Sequence, residues 1–210
     1  MRRLGDDVRT ELSGLTADNA DRVARHLVAA GDLLEVDPQL ALEHARAARR
    51  TAGRLPAVRE AVGLAAYVSA EWQEALTELR AVRRMTGDPR HLPLLADCER
   101  GLGRPERALD LAVSADVQRL DAAARTELRI VQAGARRDLG QLDAALLVLQ
   151  DAGVNATELH PWTVRLWYAY ADLLMAAGRP DQARRWFEAV IAADEDDGTD
   201  AAERLATLGG

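Results

Sequence analysis

Residues 164–193 read VRLWYAYADLLMAAGRPDQARRWFEAVIAA. The first half belongs to a helix that runs from about Pro161 to Ala177. Gly178-Arg179-Pro180 then breaks it. Glycine supplies the left-handed backbone that ends one helix, and proline pre-sets the first turn of the next. Small residues stand on both sides of the break, Ala171 before it and Ala183 after it, twelve residues apart. This is a helical hairpin with an unobstructed contact between its two arms.

The same pair recurs toward the N-terminus as Ala133 and Ala145, Ala96 and Ala108, Gly63 and Ala75, and Ala29 and Ala41. The second members are spaced by 34, 33, 37 and 38 residues. A period near 34 with paired small positions predicts stacked helical hairpins, each burying an apolar face on the next. Asp37-Pro38, Pro56 and Pro105 mark helix starts, and Gly103 and Gly140 mark turns. The extra residues of the two longer spacings belong in loops near Ser114–Arg119 and Val154–His160. Asp194–Asp197 reads as a solvated acidic loop. Asp200 with Glu203 reads as a capping box for a last short helix ending at Gly209.

The expected fold is therefore all-α: a right-handed solenoid of about five hairpins, flanked by a short helix near Asp6–Ser13 and by the C-terminal capping helix. It forms one domain over residues 1–210. Its repeats lie at about 20–53, 55–88, 89–119, 120–153 and 161–193, with the cap at about 200–208.

Composition agrees with such a core. Alanine is about a fifth of the chain and aromatics only 4%, so helices must be knit by Ala, Leu and Val at close distance. The net charge of −7 opposes a broad nucleic-acid footprint or docking on an anionic membrane. All 27 basic residues are arginine, each a planar fork suited to carboxylates. The lone Cys98 excludes an internal disulfide and fits a reducing cytoplasm. No stretch has the length and apolarity of a signal peptide or membrane span.

The pattern resembles the tetratricopeptide repeat. Trp167, Ala171, Gly178, Ala183 and Phe187 stand at that family's fourth, eighth, fifteenth, twentieth and twenty-fourth positions. Ala70 replaces the turn glycine in the second repeat, and the first departs further, with Arg25 at the fourth position and Val36 at the fifteenth. Ala41, Gly63, Ala75, Ala108, Ala145, Trp167 and Ala183 are the expected structural positions. The resemblance implies a groove lined by the first helix of each hairpin. Its fifth, ninth and twelfth positions here include Glu60, Leu64 and Tyr67, then Asp97 and Arg100, then Arg137, then Tyr168, Asp172 and Met175.

Tyr67, Asp97, Arg100, Arg137, Tyr168, Asp172 and Met175 are the candidate partner-binding residues. Arg100 and Arg137 occupy equivalent places in adjacent repeats and could together hold a carboxylate; pairing with neighbouring Asp97 and Asp138 is the plainer expectation. The family's chaperone-binding members grip a terminal carboxylate with lysines and asparagines that this chain lacks at those places.

No constellation points to catalysis. Gly101-Leu102-Gly103 is a fragment at a helix end rather than a phosphate loop. Cys98 lies among leucines and reads as a buried small hydrophobe. His26 and His44 can approach across the first hairpin, where packing is the expected role, so neither a metal nor a cofactor is expected. The expected function is a non-enzymatic, cytoplasmic adaptor binding a protein or peptide. Alternatives are a sensor holding a small ligand or signalling peptide in the groove, and a module that self-associates into a homo-oligomer through an end repeat.

Overall fold

A computed structural model of the chain describes residues 4–155, 159–194 and 198–208. Among the described residues there are twelve α-helices, one 3₁₀ turn at Ala115–Arg119 and no strand. The chain divides into two compact units, Met1–Gly103 and Arg104–Gly210.

The first unit contains α1 (Asp6–Leu12), α2 (Ala17–Leu33), α3 (Pro38–Ala52), α4 (Pro56–Val68), α5 (Trp72–Thr86) and α6 (Leu92–Gly101). Helices α2 and α3 pair as one hairpin and α4 and α5 as the next, with α3 against α4 and α5 against α6. Ala41 and Ala75 are fully buried. At Gly63 the approach is close: an added Cβ would lie 2.7 Å from Leu79 Cδ2. Leu42, Leu76, Leu79, Leu92 and Leu95 fill the space around these small residues. Pro93 is tolerated because it falls in the first turn of α6.

The second unit contains α7 (Pro105–Ala112), α8 (Ala122–Asp138), α9 (Leu142–Asp151), α10 (Thr163–Ala176), α11 (Pro180–Ala193) and α12 (Ala201–Thr207). Its hairpins are α8 with α9 and α10 with α11, and α12 packs on α11. Ala108, Ala145, Ala183 and Phe187 are fully buried. Trp167 is half-buried, lies 5.9 Å from Trp186 between ring centroids, and donates its indole N–H to the Val154 carbonyl at 2.9 Å.

Three turns share one construction. The residues after Ala70, Gly140 and Gly178 donate their N–H back five positions, to the carbonyls of Ala66, Arg136 and Leu174, at 2.8, 2.9 and 2.9 Å. This is the Schellman closure, which needs a left-handed residue at its corner. Gly140 and Gly178 have φ of 73° and 69°, and Ala70 is forced to 59°. The first hairpin turns differently. Its corner residue Val36 is exposed, and the Asp37 side chain accepts the Leu40 N–H at 3.0 Å to start α3.

The start of α12 departs from the sequence reading. Asp200 occupies the N-cap of α12 but makes no side-chain capping bond. Its ψ of 21° lies outside the extended region that aims a capping side chain at the first-turn N–H groups, and its Oδ1 accepts the Tyr168 hydroxyl instead, at 2.5 Å. Of the acidic loop, residues 195–197 lie outside the described residues. Asp194 is described, and its carboxylate accepts from the Gly198 and Thr199 N–H groups and the Thr199 hydroxyl. The expected helix end at Gly209 also lies outside the described residues; α12 runs to Thr207.

Replacing Ala145 by leucine will lower stability by about 1–3 kcal/mol, because the close-packed contact has no room for three more carbons; thermal unfolding measures it. Ala70→Gly will raise stability by about 0.5–1 kcal/mol. Relief of the left-handed strain outweighs the added freedom of the unfolded chain, and an unchanged or lower midpoint contradicts that balance.

Candidate functional site

In the first unit, α4 and α6 bring three of the sequence-selected residues into one cluster. The Tyr67 hydroxyl donates to Asp97 Oδ2 at 2.7 Å, and Arg100 Nη1 donates to Asp97 Oδ1 at 2.7 Å. The Asp97 carboxylate is thus shared between an aromatic hydroxyl and a guanidinium one helical turn away on the same helix. Trp72, at the start of α5, meets Tyr67 edge-on with centroids 5.5 Å apart. It also lies against Gly101, where an added Cβ would come within 2.7 Å of the indole ring. All four side chains are partly exposed.

Two turns earlier on α4, Glu60 meets Arg90 Nη2 at 2.7 Å and His91 Nε2 at 2.9 Å. Burial alone would raise the Glu60 carboxyl, but His91 and Arg90 outweigh it and hold the carboxyl below its ordinary value.

The second unit repeats this arrangement along α8, α10 and α12. Arg137 on α8 pairs with Asp172 Oδ2 on α10, and Arg204 on α12 pairs with Asp172 Oδ1. Tyr168, one turn before Asp172, bonds to Asp200. Burial first, and the Asp200 bond second, push the Tyr168 hydroxyl up to about 12, so it remains a proton donor at neutral pH. The ring of Phe187 lies beneath, edge-on to Tyr168 at 5.9 Å and under the Arg204 guanidinium at 5.9 Å. Met175 is half-buried one turn beyond Asp172 and packs against the core of this unit.

Arg100 and Arg137 are therefore each engaged by a carboxylate of their own unit. Arg100 takes Asp97, as the plainer sequence expectation has it. Arg137 takes Asp172 of the following hairpin rather than its neighbour Asp138, because an adjacent helix presents a carboxylate on the same face. Sequence reasoning missed Asp200 and Arg204 as members of the cluster. Their spacing of 32 residues from Tyr168 and Asp172, close to the repeat period, is the signal that places them.

Two further groups have settled roles. Cys98 is fully buried. Desolvation, with Asp97 and Glu99 adding to it, pushes its thiol up to about 12, so it stays protonated and inert toward electrophiles. His26 and His44 do meet across the first hairpin, with Nδ1 atoms 2.9 Å apart and ring centroids 5.2 Å apart. They approach nitrogen to nitrogen rather than face to face, one imidazole donating its proton and the other accepting. Among the described residues no group of three or more His, Cys, Asp or Glu side chains converges as a metal site.

Residues 136–208 match the tetratricopeptide repeat family. No curated protein matches the chain in sequence. Among solved structures, a thermophilic tetratricopeptide-repeat protein of Thermus thermophilus is 19% identical, with a TM-score of 0.68 over 89% of this chain and 98% of that one. The nearly identical tetratricopeptide-like repeats of a Podospora anserina kinesin light chain are similar in two structures. One is 20% identical, with a TM-score of 0.62 over 81% of this chain and 93% of the other; the second is 19% identical, with 0.60 over 84% and 98%. Residues 136–208 thus carry the sequence signature of the tetratricopeptide repeat, and the fold is similar to that of tetratricopeptide-repeat structures.

The histidine pair makes stability depend on pH. Burial, then the charges of His44, Arg50, Arg25 and Arg22, lower the His26 value below the ordinary 6.5. Once the pH falls below about 6.5, protons bind the unfolded chain in preference to the folded one. Stability is full above that value and is lost as the pH drops toward the lowered one. Thermal midpoints measured from pH 7.5 down to 5.5 will fall, and His26→Gln will flatten that slope. Parallel slopes for the two proteins would remove the pair from the account.

Proposed function

We propose that the chain is a non-catalytic, cytoplasmic adaptor that binds a protein or peptide partner on the face lined by the first helices of its hairpins. Proteins of this fold generally serve as interaction scaffolds. The observation that carries the reading here is the Tyr67–Asp97–Arg100 cluster with Trp72. A tyrosine and an arginine, residue types that dominate binding hot spots, are held in fixed positions by one carboxylate while still partly exposed. Groups ordered before binding lose less conformational freedom when the partner arrives.

In the second unit, Tyr168, Asp172, Arg137 and Met175 form the corresponding surface, with α12 contributing Asp200 and Arg204. The partner is a protein or peptide rather than nucleic acid or membrane. The net charge of −7 disfavours both polyanionic surfaces, and among the described residues no helix is long and apolar enough to cross a membrane.

The test is affinity capture from the native lysate with the whole chain as bait, read by quantitative mass spectrometry. Proteins retained by the wild type will be depleted at least severalfold on Tyr67→Ala and Tyr168→Ala baits whose folding is verified by circular dichroism. Retention of the same set by both variants, together with its loss on an Arg50→Ala, Arg84→Ala bait, would move the binding surface to the second helices.

A further inference from the structure

A cleft of about 620 Å³ opens in the first unit where the α3–α4 connection meets α5. It is lined by Arg49, Arg54, Arg59 and Glu78, with Leu15 and Leu55 supplying apolar wall. It shares no residue with the Tyr67–Asp97–Arg100 cluster, so it stands or falls separately from the adaptor reading.

Its charge runs against that of the chain. Glu78 is 4% exposed. It is held by Arg49 Nη1 at 2.5 Å and by Arg59 Nη1 at 2.8 Å. Arg49 also reaches Glu74, which is shared with Arg46. Three arginines, Arg46, Arg49 and Arg59, thus meet two glutamates at the cleft, Arg46 and Glu74 lying outside its lining. Both carboxylates are already taken by guanidiniums. Arg54 is exposed and has no ion-pair or hydrogen-bond partner among the described residues. The nearby Glu11 side chain, which is not part of the lining, accepts the Ala57 N–H at 3.0 Å.

A buried carboxylate that fixes two arginines leaves their remaining N–H groups aimed without further ordering, and a concave wall concentrates their field. Guanidinium forks match carboxylate and phosphate oxygens. The volume lies within the range of small-molecule sites, and the leucine wall accepts a short carbon skeleton.

The geometry points to a binding site for a small oxyanion-bearing ligand, a carboxylate or phosphate on a compact apolar body, gripped by Arg54 and Arg59 over the Arg49–Glu78 base. Arg54 is the residue to change, since it supports nothing else. Arg59 is unsuitable, because its loss would strand charge on buried Glu78.

The experiment titrates the full ¹⁵N-labelled chain with sodium succinate, with inorganic phosphate in a second arm and with sodium chloride at matched ionic strength in a third. Saturable amide shifts confined to the Thr51–Arg59 segment are expected. Arg54→Gln will weaken the affinity about tenfold, the scale of one lost charge-assisted contact, while Arg185→Gln, on an exposed site of the second unit, leaves it unchanged. Saturation by succinate identifies the carboxylate as the recognised group, and saturation by phosphate alone identifies the phosphate. Shifts that chloride reproduces, a lack of saturation in both arms, equal affinity for Arg54→Gln, or an equal loss in Arg185→Gln would overturn the site.

Discussion

The structure depends on how closely two helices of a hairpin can approach, and that distance is set by side chains that are hardly there. At Gly63 even one added carbon would collide with Leu79. Ala41, Ala75, Ala108, Ala145 and Ala183 are fully buried at the matching positions. Helices this near one another exclude large residues from the seam, so the bulk of the core moves to its flanks, where leucines and a few aromatics close the gaps. The chain can therefore build its core with few aromatic residues, and those few are free to gather where a flank is wide, as around Phe187 and Trp186.

Close seams also bring the first helices of successive hairpins within side-chain reach, and the polar residues respond by pairing. Tyr67 with Asp97 and Arg137 with Asp172 join a first helix to the next within its unit, and Glu60 with Arg90 and Tyr168 with Asp200 join one to the residues that lead into α6 and α12. On the second helices, Arg46 with Glu74 and Arg49 with Glu78 do the same. Partly exposed pairs of this sort contribute little stability singly. Their effect lies in orientation: they decide which way each aromatic and guanidinium faces, and so what a partner would meet.

Much of the architecture was legible in the sequence because it is written in local terms. Leu142–Asp151 and Pro180–Ala193 have the bounds that glycine, proline and apolar spacing imply. The period alone placed Gly63 and the alanines at the contacts. What could not be read was any choice that depends on a residue some thirty positions away. Asp200 followed by Glu203 has the form of a capping box, yet Tyr168 takes the Asp200 carboxylate. Arg137 has Asp138 beside it, yet the carboxylate it uses sits on the next hairpin. Ala70 shows the converse: a residue that locally resists a left-handed turn adopts one because the packing of α4 on α5 requires it. The pairings of the candidate residues were thus the part that the sequence left illegible.

Where these links have a cationic half it is a guanidinium, since the chain contains no lysine. Acetylation and the other acyl modifications by which cells neutralise positive charge act on primary amines. No internal position of this protein offers one. The pairings that aim its surface residues are closed to that whole class of enzymatic control, and equally to amine-coupling reagents.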